Sequence, residues 1–253
     1  MNRRHLALLV RNDLTSRFVA NAFGSLWIIA LPVIQLALFA FVFGVIFKAR
    51  IPGLETHGYV AFLALGMWPW LAFSEAVARG AAAITDSAAL IGKVAIEPWL
   101  LVLARTIVAF ALHAAGFIVV ILVLLAMGLP LHFGQPWLLL TGWLLLFLLA
   151  FAGATLAAVV QVFFRDMQQL LPMLLAALMY VSPILYTFDM LPETMRAVFE
   201  LSPLASVLET IRDPLLWDSS GPALPRAALG TVVLALPVWW IYRRLRPHLE
   251  DFL

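Results

Sequence analysis

The sequence contains no cysteine. That excludes disulfides, thiol catalysis and cysteine-bound metal, while leaving the redox compartment open. Charge is scarce as well. Asp, Glu, Lys and Arg make up 12% of the chain against 64% hydrophobic residues, roughly half the charge of an average soluble domain. No formal charge occurs from residue 106 to 164, nor from 167 to 188. The patterns H-E-x-x-H, G-x-S-x-G and G-x-x-x-x-G-K-[ST] are missing too, so neither zinc-assisted hydrolysis nor a phosphate-binding P-loop can be placed. The net charge of +2 is too small to indicate nucleic acid as a partner.

Long apolar sequence fills the chain instead, with a mean hydropathy of +1.01. Each crossing of a hydrocarbon layer about 30 Å thick needs about 20 mostly apolar residues. Runs without strict alternation indicate helices rather than a barrel. The expected fold is therefore an all-α polytopic membrane protein, one permease-sized domain over 1–253. Six spans are predicted near 26–47, 58–78, 100–127, 138–163, 168–187 and 226–242, with "GLPLHFGQPW" (128–137) as a Gly/Pro hairpin between the third and fourth.

Residues 1–20 open with "MNRRHLALLVRNDLTSR", where Arg3, Arg4, Arg11 and Arg17 are interspersed with Leu6, Leu9, Val10 and Leu14 at helical spacing. This predicts an amphipathic helix on an anionic leaflet. A signal segment is the alternative, but the apolar stretch that follows, 18–47, is much longer than an h-region of about 7–15 residues. With the N-terminus inside, the cytoplasmic side receives Arg3, Arg4, Arg11, Arg17, Arg79, Lys93, Arg165, Arg243, Arg244 and Arg246. The outside receives Lys48, Arg50, Arg196, Arg212 and Arg226. That bias puts both termini in the cytoplasm. It also puts Arg165 and Asp166, in "FFRDMQQLLP" (163–172), at the cytoplasmic turn before span five, where Asp166 is placed to cap the helix and to pair weakly with Arg165.

Two connections exceed a simple turn. The cytoplasmic one, 79–99, reads "RGAAAITDSAALIGKVAIEPW". Thr85 or Asp86 is placed to N-cap a short helix through Leu90, and Pro98 discourages continuation past Glu97. Such a helix is either a solvated surface element or a grip for a soluble partner. The outer one, 188–223, holds "PETMRAVFEL" and "PLASVLETIRD", each opening with proline, the second after Ser202 as N-cap. Leu204, Val207, Leu208 and Ile211 recur at i, i+3, i+4 and i+7. Both helices are too short to span, so they either dip into the membrane as a pair or cap the helix ends.

Ionisable residues inside the membrane are costly and mark function. Only His113 is predicted at mid-span, with Glu75 and Arg105 near cytoplasmic ends. A histidine among apolar residues is a hydrogen-bonded packing residue or a proton relay. So thin a set counts against a small ion-coupled transporter. The outer acids Glu200, Glu209 and Asp213 leave open a membrane-embedded enzyme acting on a lipid-linked substrate, although their positions on amphipathic helices favour solvated helix faces. Trp27, Phe39 and Phe43 in span one, Trp68 and Trp70 in span two, and Tyr180 and Tyr186 in span five offer aromatic faces that stack on sugar rings. Interfacial belts use the same residues.

Taken together, "DLTSRFVANAFGSLWIIALPVIQLALFAFVFGVIF" (13–47), "SAALIGKVAIEPWLLVLAR" (87–105) and "VFFRDMQQLLPMLLAALMYVSPILYTFDMLPETMRAVFELSPLASVLETIRDPLL" (162–216) resemble the membrane subunit of type-2 ABC exporters for polysaccharides. The Wzm-like permeases for O-antigen or teichoic acid chains are the nearest subgroup. Related proteins often carry more basic residues before the first-span pattern than "FVANAFGSLW" does.

The resemblance implies a non-enzymatic permease of the bacterial inner membrane that moves a lipid-linked polysaccharide through a channel between two copies of itself. It implies two separate ATP-binding subunits that carry ATP and Mg, with no cofactor or metal on this chain. It makes 1–20 an interface helix. Asp86, Ser87, Ala89, Leu90, Lys93 and Glu97 become the coupling contact with the ATPase. The outer pair becomes a re-entrant gate containing Val198, Leu201, Leu204, Val207, Leu208 and Ile211. Arg165 and Asp166 fall at the inner mouth of the channel.

Overall fold

The computed structural model describes residues 2–19, 30, 33–34, 37–38, 40–46, 58–91 and 96–252. Parts of predicted span one, including Trp27 and Phe39, and Lys93 of the coupling region lie outside the described residues. Within 26–47 the longest continuous described piece is a π-helical segment, Ala40–Ile46. Among the described residues every regular element is helical.

The elements are α1 (Asn2–Val19), α2 (Gly58–Ala81), α3 (Pro98–Ala126), α4 (Pro136–Phe163), α5 (Met167–Val181), α6 (Glu193–Glu200), α7 (Pro203–Trp217) and α8 (Leu224–Leu245). Helices α2, α3, α4 and α8 with its continuation to His248 are long and apolar enough to cross a membrane. Helix α2 is the centre of the bundle. It packs against α3, α4 and α7, and α4 in turn packs against α7 and α8. Its buried side chains, among them Phe62, Leu63, Leu65 and Met67, form one core with Leu146, Val207, Leu208 and Ile211. A smaller core at the other end joins Ile84, Leu101, Val102, Val159 and Tyr242.

Small residues set how closely these helices approach. A Cβ on Gly116 of α3 would lie 2.5 Å from Cζ2 of Trp68, and one on Gly142 of α4 would lie 2.6 Å from Cγ1 of Ile211. The indole of Trp68 therefore lies directly on the α3 backbone, where its Nε1 donates to the His113 carbonyl at 2.9 Å. Between α3 and α4 the chain turns through Gly128 at φ +77°. That hairpin is tied to the end of α7 by the His132 amide, which donates to the Leu215 carbonyl at 2.9 Å.

Three expectations change. Span five was predicted to reach residue 187, but α5 stops at Val181. Ser182 precedes Pro183 and takes an extended conformation, ψ 146°, because a residue before proline is pushed out of the helical region. Helix α7 runs beyond the predicted end at 213, through Pro214 to Trp217, and stops where Asp218 is left-handed, φ 49°. Asp166 stands at the start of α5 without a side-chain cap bond. Its backbone carbonyl accepts from the Gln169 and Leu170 amides instead, and it makes no ion pair with Arg165 among the described residues. Ser202 caps α7 as predicted, its Oγ accepting from the Ala205 amide at 3.4 Å.

Replacing Gly142 with valine should lower the unfolding temperature in detergent, because overpacking at Ile211 costs about 1–3 kcal/mol. Gly153→Ala, whose added Cβ would meet only Cγ2 of Val77 at 3.4 Å, should shift it far less. Equal shifts for the two variants would contradict this account of α4–α7 packing.

Candidate functional site

Charge within this apolar chain collects at the two ends of the bundle. At the end that holds α1, five side chains converge. Asp13 and Arg17 come from α1, one turn apart, where a helix stacks residues i and i+4 on one face. Glu75 and Arg79 have the same spacing on α2. His113 comes from α3. Arg79 Nη2 donates to Asp13 Oδ1 at 2.7 Å, and Arg17 Nη1 lies 2.8 Å from Glu75 Oε1. The second Glu75 oxygen, Oε2, is 2.8 Å from His113 Nε2. The side chains of Arg17 and His113 are 7% and 4% exposed. Desolvating an ion is expensive, and removing one member of a buried pair costs about 3–5 kcal/mol. Sequence separation hid this cluster: His113 reads as a lone residue, yet folding gives it a carboxylate partner. The recurrence of Asp13/Arg17 and Glu75/Arg79 at i, i+4 was the available signal.

The coupling region lies at the same end. Thr85–Ser87 form a turn of 3₁₀ helix and Ala88–Ile91 one turn of α-helix. Neither predicted cap is used. Ile84 precedes the turn without a side-chain cap, Thr85 Oγ1 donates back to the Ala82 carbonyl, and Asp86 accepts from Arg105 at 2.9 Å. Ala89 and Leu90 point outward, Ser87 is half-buried, and Glu97 pairs with Arg246 beyond α8. A groove of about 510 Å³ separates Leu90 and Ile96 from Leu8, Leu9, Arg11 and Thr15 of α1. Arg165 lines a second cavity, about 310 Å³, with Thr85, Asp86, Gln161 and Phe252.

The expected aromatic path divides. Trp68 and Trp70 are both 3% exposed, Trp68 bound to α3 and Trp70 packed on Phe73 with ring centroids 5.7 Å apart. Buried faces cannot stack on a sugar, so both are packing residues of the protomer. Phe43 lies in the π-helical segment. Tyr180 is 59% exposed on α5. The Tyr186 hydroxyl folds back, donating to the carbonyls of Tyr180 and Val181.

At the opposite end, α6 and α7 form the expected pair of short helices. Leu204, Val207, Leu208 and Ile211 are sealed inside the protomer against α2 and α4, whereas Leu201, at the turn between α6 and α7, is 81% exposed. Val198 lies on α6. Arg212, 2% exposed, holds α7 in place. Its Nη1 donates to the Pro183 carbonyl at 2.6 Å, its Nε to Asp213 Oδ1 at 3.2 Å, and its guanidinium carbon lies 3.9 Å from the centre of the Phe62 ring. Arg226 of α8 reaches Glu200 and Glu209, each at 3.6 Å. Arg196 pairs with Asp189 and Glu200. These groups line a cavity of about 350 Å³. Burial, reinforced by the Asp213 charge, pushes Glu209 up to about 7, and burial also raises Asp213. The outer acids are thus committed to arginines. No group of three or more His, Asp or Glu among the described residues is placed to hold a metal ion.

Comparison with known proteins agrees with this architecture. The family described as ABC-2 type transporter matches residues 4–216. An O-antigen export system permease protein RfbA from Klebsiella pneumoniae is 26% identical over 82% of this chain and 78% of its own length. One of the same name from Myxococcus xanthus is 27% identical over 98% and 93%. The polysialic acid transport protein KpsM of Escherichia coli is 26% identical over 94% and 91%.

Glu209 has a pH consequence. Its folded value, about 7, lies above the ordinary 4.5, so the folded state binds the extra proton. Its contribution to stability is complete below pH 4.5 and disappears as pH rises through about 7. Unfolding temperature should fall across that window, and Glu209→Gln should flatten the fall. A variant whose pH profile parallels the parent would contradict the assignment.

Proposed function

This chain belongs to the ABC-2 type transporter family, and we propose that it is the membrane-spanning subunit of an ATP-driven exporter that moves a lipid-linked, O-antigen-like polysaccharide across the bacterial inner membrane. It is a transporter subunit, not an enzyme. Full-length similarity to relatives named for O-antigen export and polysialic acid transport is the observation that carries the substrate class.

In this reading ATP and Mg are held by two separate ATP-binding subunits, and two copies of this chain enclose the path. Both termini are cytoplasmic. The spans are six, with 26–47 and α5 added to the four long helices. Helix α5, with 15 residues, reaches about 22 Å at 1.5 Å per residue, short of the hydrocarbon thickness. The break at Ser182–Pro183 and the short helices beyond it then complete the outer half as a re-entrant gate. Leu204, Val207, Leu208 and Ile211 anchor that gate from inside, and the closing surface falls to exposed residues such as Leu201. The polymer path falls to exposed aromatic and apolar side chains, Tyr180, Met173 and Leu174 on α5 among them.

Coupling rests on the exposed Ala89 and Leu90, which stand beside α1 at the cytoplasmic end. Leu90→Asp should weaken binding of the ATP-binding subunit about tenfold or more, because an unpaired carboxylate buried at an interface is strongly disfavoured. Ala89→Asp should act in the same direction. Titration of the purified permease with its ATPase checks this, and normal affinity for both variants would remove the coupling assignment.

A further inference from the structure

The cluster at the base of α1 is larger than docking requires. A surface helix lying on a leaflet needs only its apolar stripe and peripheral lysines or arginines. Instead α1 turns Asp13 and Arg17 inward against α2, with the Arg17 side chain 7% exposed. Among the described residues Arg17 Nη2 is buried without a hydrogen-bond partner, and Asp13 Oδ2 and Arg79 Nε have only long ion pairs, to Arg17 Nε at 3.5 Å and to Glu75 Oε1 at 4.0 Å. A set of charges serving stability alone would be better satisfied, since apolar packing in its place is often neutral or stabilising.

The geometry assigns a direction to the cluster. Leu8, Leu9, Arg11 and Thr15 of α1 face the groove shared with Leu90 and Ile96. Asp13 and Arg17 face the spans. Glu75 then divides its two oxygens between different helices, Oε1 to Arg17 of α1 and Oε2 to His113 of α3. The α2–α3 contact is fixed again about two helical turns away along α2, where the Trp68 indole is bonded to the His113 carbonyl. Among the described residues Glu75 is consequently the one carboxylate through which α1, α2 and α3 are joined.

From this arrangement, and resting on the exporter reading above, we propose that Glu75 is a positioning residue of the transport cycle. It locks α1 onto α2 and α3, so that displacement of α1 by the ATP-binding subunit carries these two spans as one body. Arg17 and His113 are the two arms of the lock, and Asp13–Arg79 is its second fastening. Loss of the lock leaves ATP hydrolysis running while less polymer moves per ATP.

The absence of native cysteine permits a direct test in proteoliposomes containing the permease and its ATP-binding subunit. The readout is polysaccharide exported per ATP hydrolysed, measured on purified, intact complexes so that ATP-binding subunits without a folded permease do not contribute. Glu75→Gln should lower it about fivefold or more, the lower end of ordinary coupling energies, while the ATP-binding subunit still co-purifies. In a Glu75→Gln protein that also carries Asp13→Cys and Arg79→Cys, a short thiol-to-thiol bridging reagent across the former 2.7 Å contact should restore the ratio. Reducing the bridge should abolish the gain. A wild-type ratio in Glu75→Gln would overturn the proposal, as would a bridged protein that assembles, hydrolyses ATP and still fails to export, because α1 would then have to part from α2. If the parent complex shows no ATP-driven export, the exporter reading falls, and the proposal with it.

Discussion

A carboxylate on α2, bonded to side chains of α1 and α3, ties three helices together at one end of this molecule. Glu75 lies in a chain whose composition is otherwise arranged to avoid charge, and it is tolerated because Arg17 and His113 each take one of its oxygens. The consequence reaches beyond local stability. Helix α1 packs along α3, and the pairing ties it to α2 as well. The turn at 85–91, the groove beside it and the ends of α2 and α3 are thereby gathered at one end of the bundle.

The outer half solves the same physical problem with an arginine. Arg212 is buried, and a carbonyl, a carboxylate and an aromatic ring surround its guanidinium. Its partners come from three places: the break after α5, α7 itself, and α2. That explains why α7, with Val207, Leu208 and Ile211 on its inner face, sits inside the protomer as firmly as a span does. The exposed part of this end is the rim of α6 and α7, where Leu201 and the Arg196 and Arg226 pairs lie. Ion pairs this exposed add little to stability, and in the proposed exporter this rim is the surface free to open.

Much of the architecture was legible in the sequence because it depends on local composition. Apolar runs located α2, α3, α4 and α8, Gly128 with its neighbouring prolines located the hairpin, and Ser202 with Pro203 located the start of α7. Proline also explains the misplaced end of α5: the Ser182–Pro183 step was visible, but hydropathy alone carried the prediction past it. The charged clusters were not legible, because they join residues far apart in the chain. His113 looked solitary until α2 was laid against α3, and Asp86 looked like a cap until Arg105 was brought beside it. Aromatic composition misled in a related way. Tryptophan suits a sugar path and a tight helix contact equally, and Gly116 opposite Trp68 decides for the contact.

The family, the buried lock at α1 and the exposed coupling turn combine into one account, in which chemical energy enters at the cytoplasmic face and polymer leaves between two copies of this chain. The most direct measurement is translocation in sealed inside-out vesicles containing this permease and its ATP-binding subunit, supplied with a fluorescent lipid-linked polysaccharide on the outside. The account predicts that ATP, and not an imposed proton or sodium gradient, makes the polymer inaccessible to a glycosidase added outside. Protection that needs a gradient and ignores ATP would contradict it.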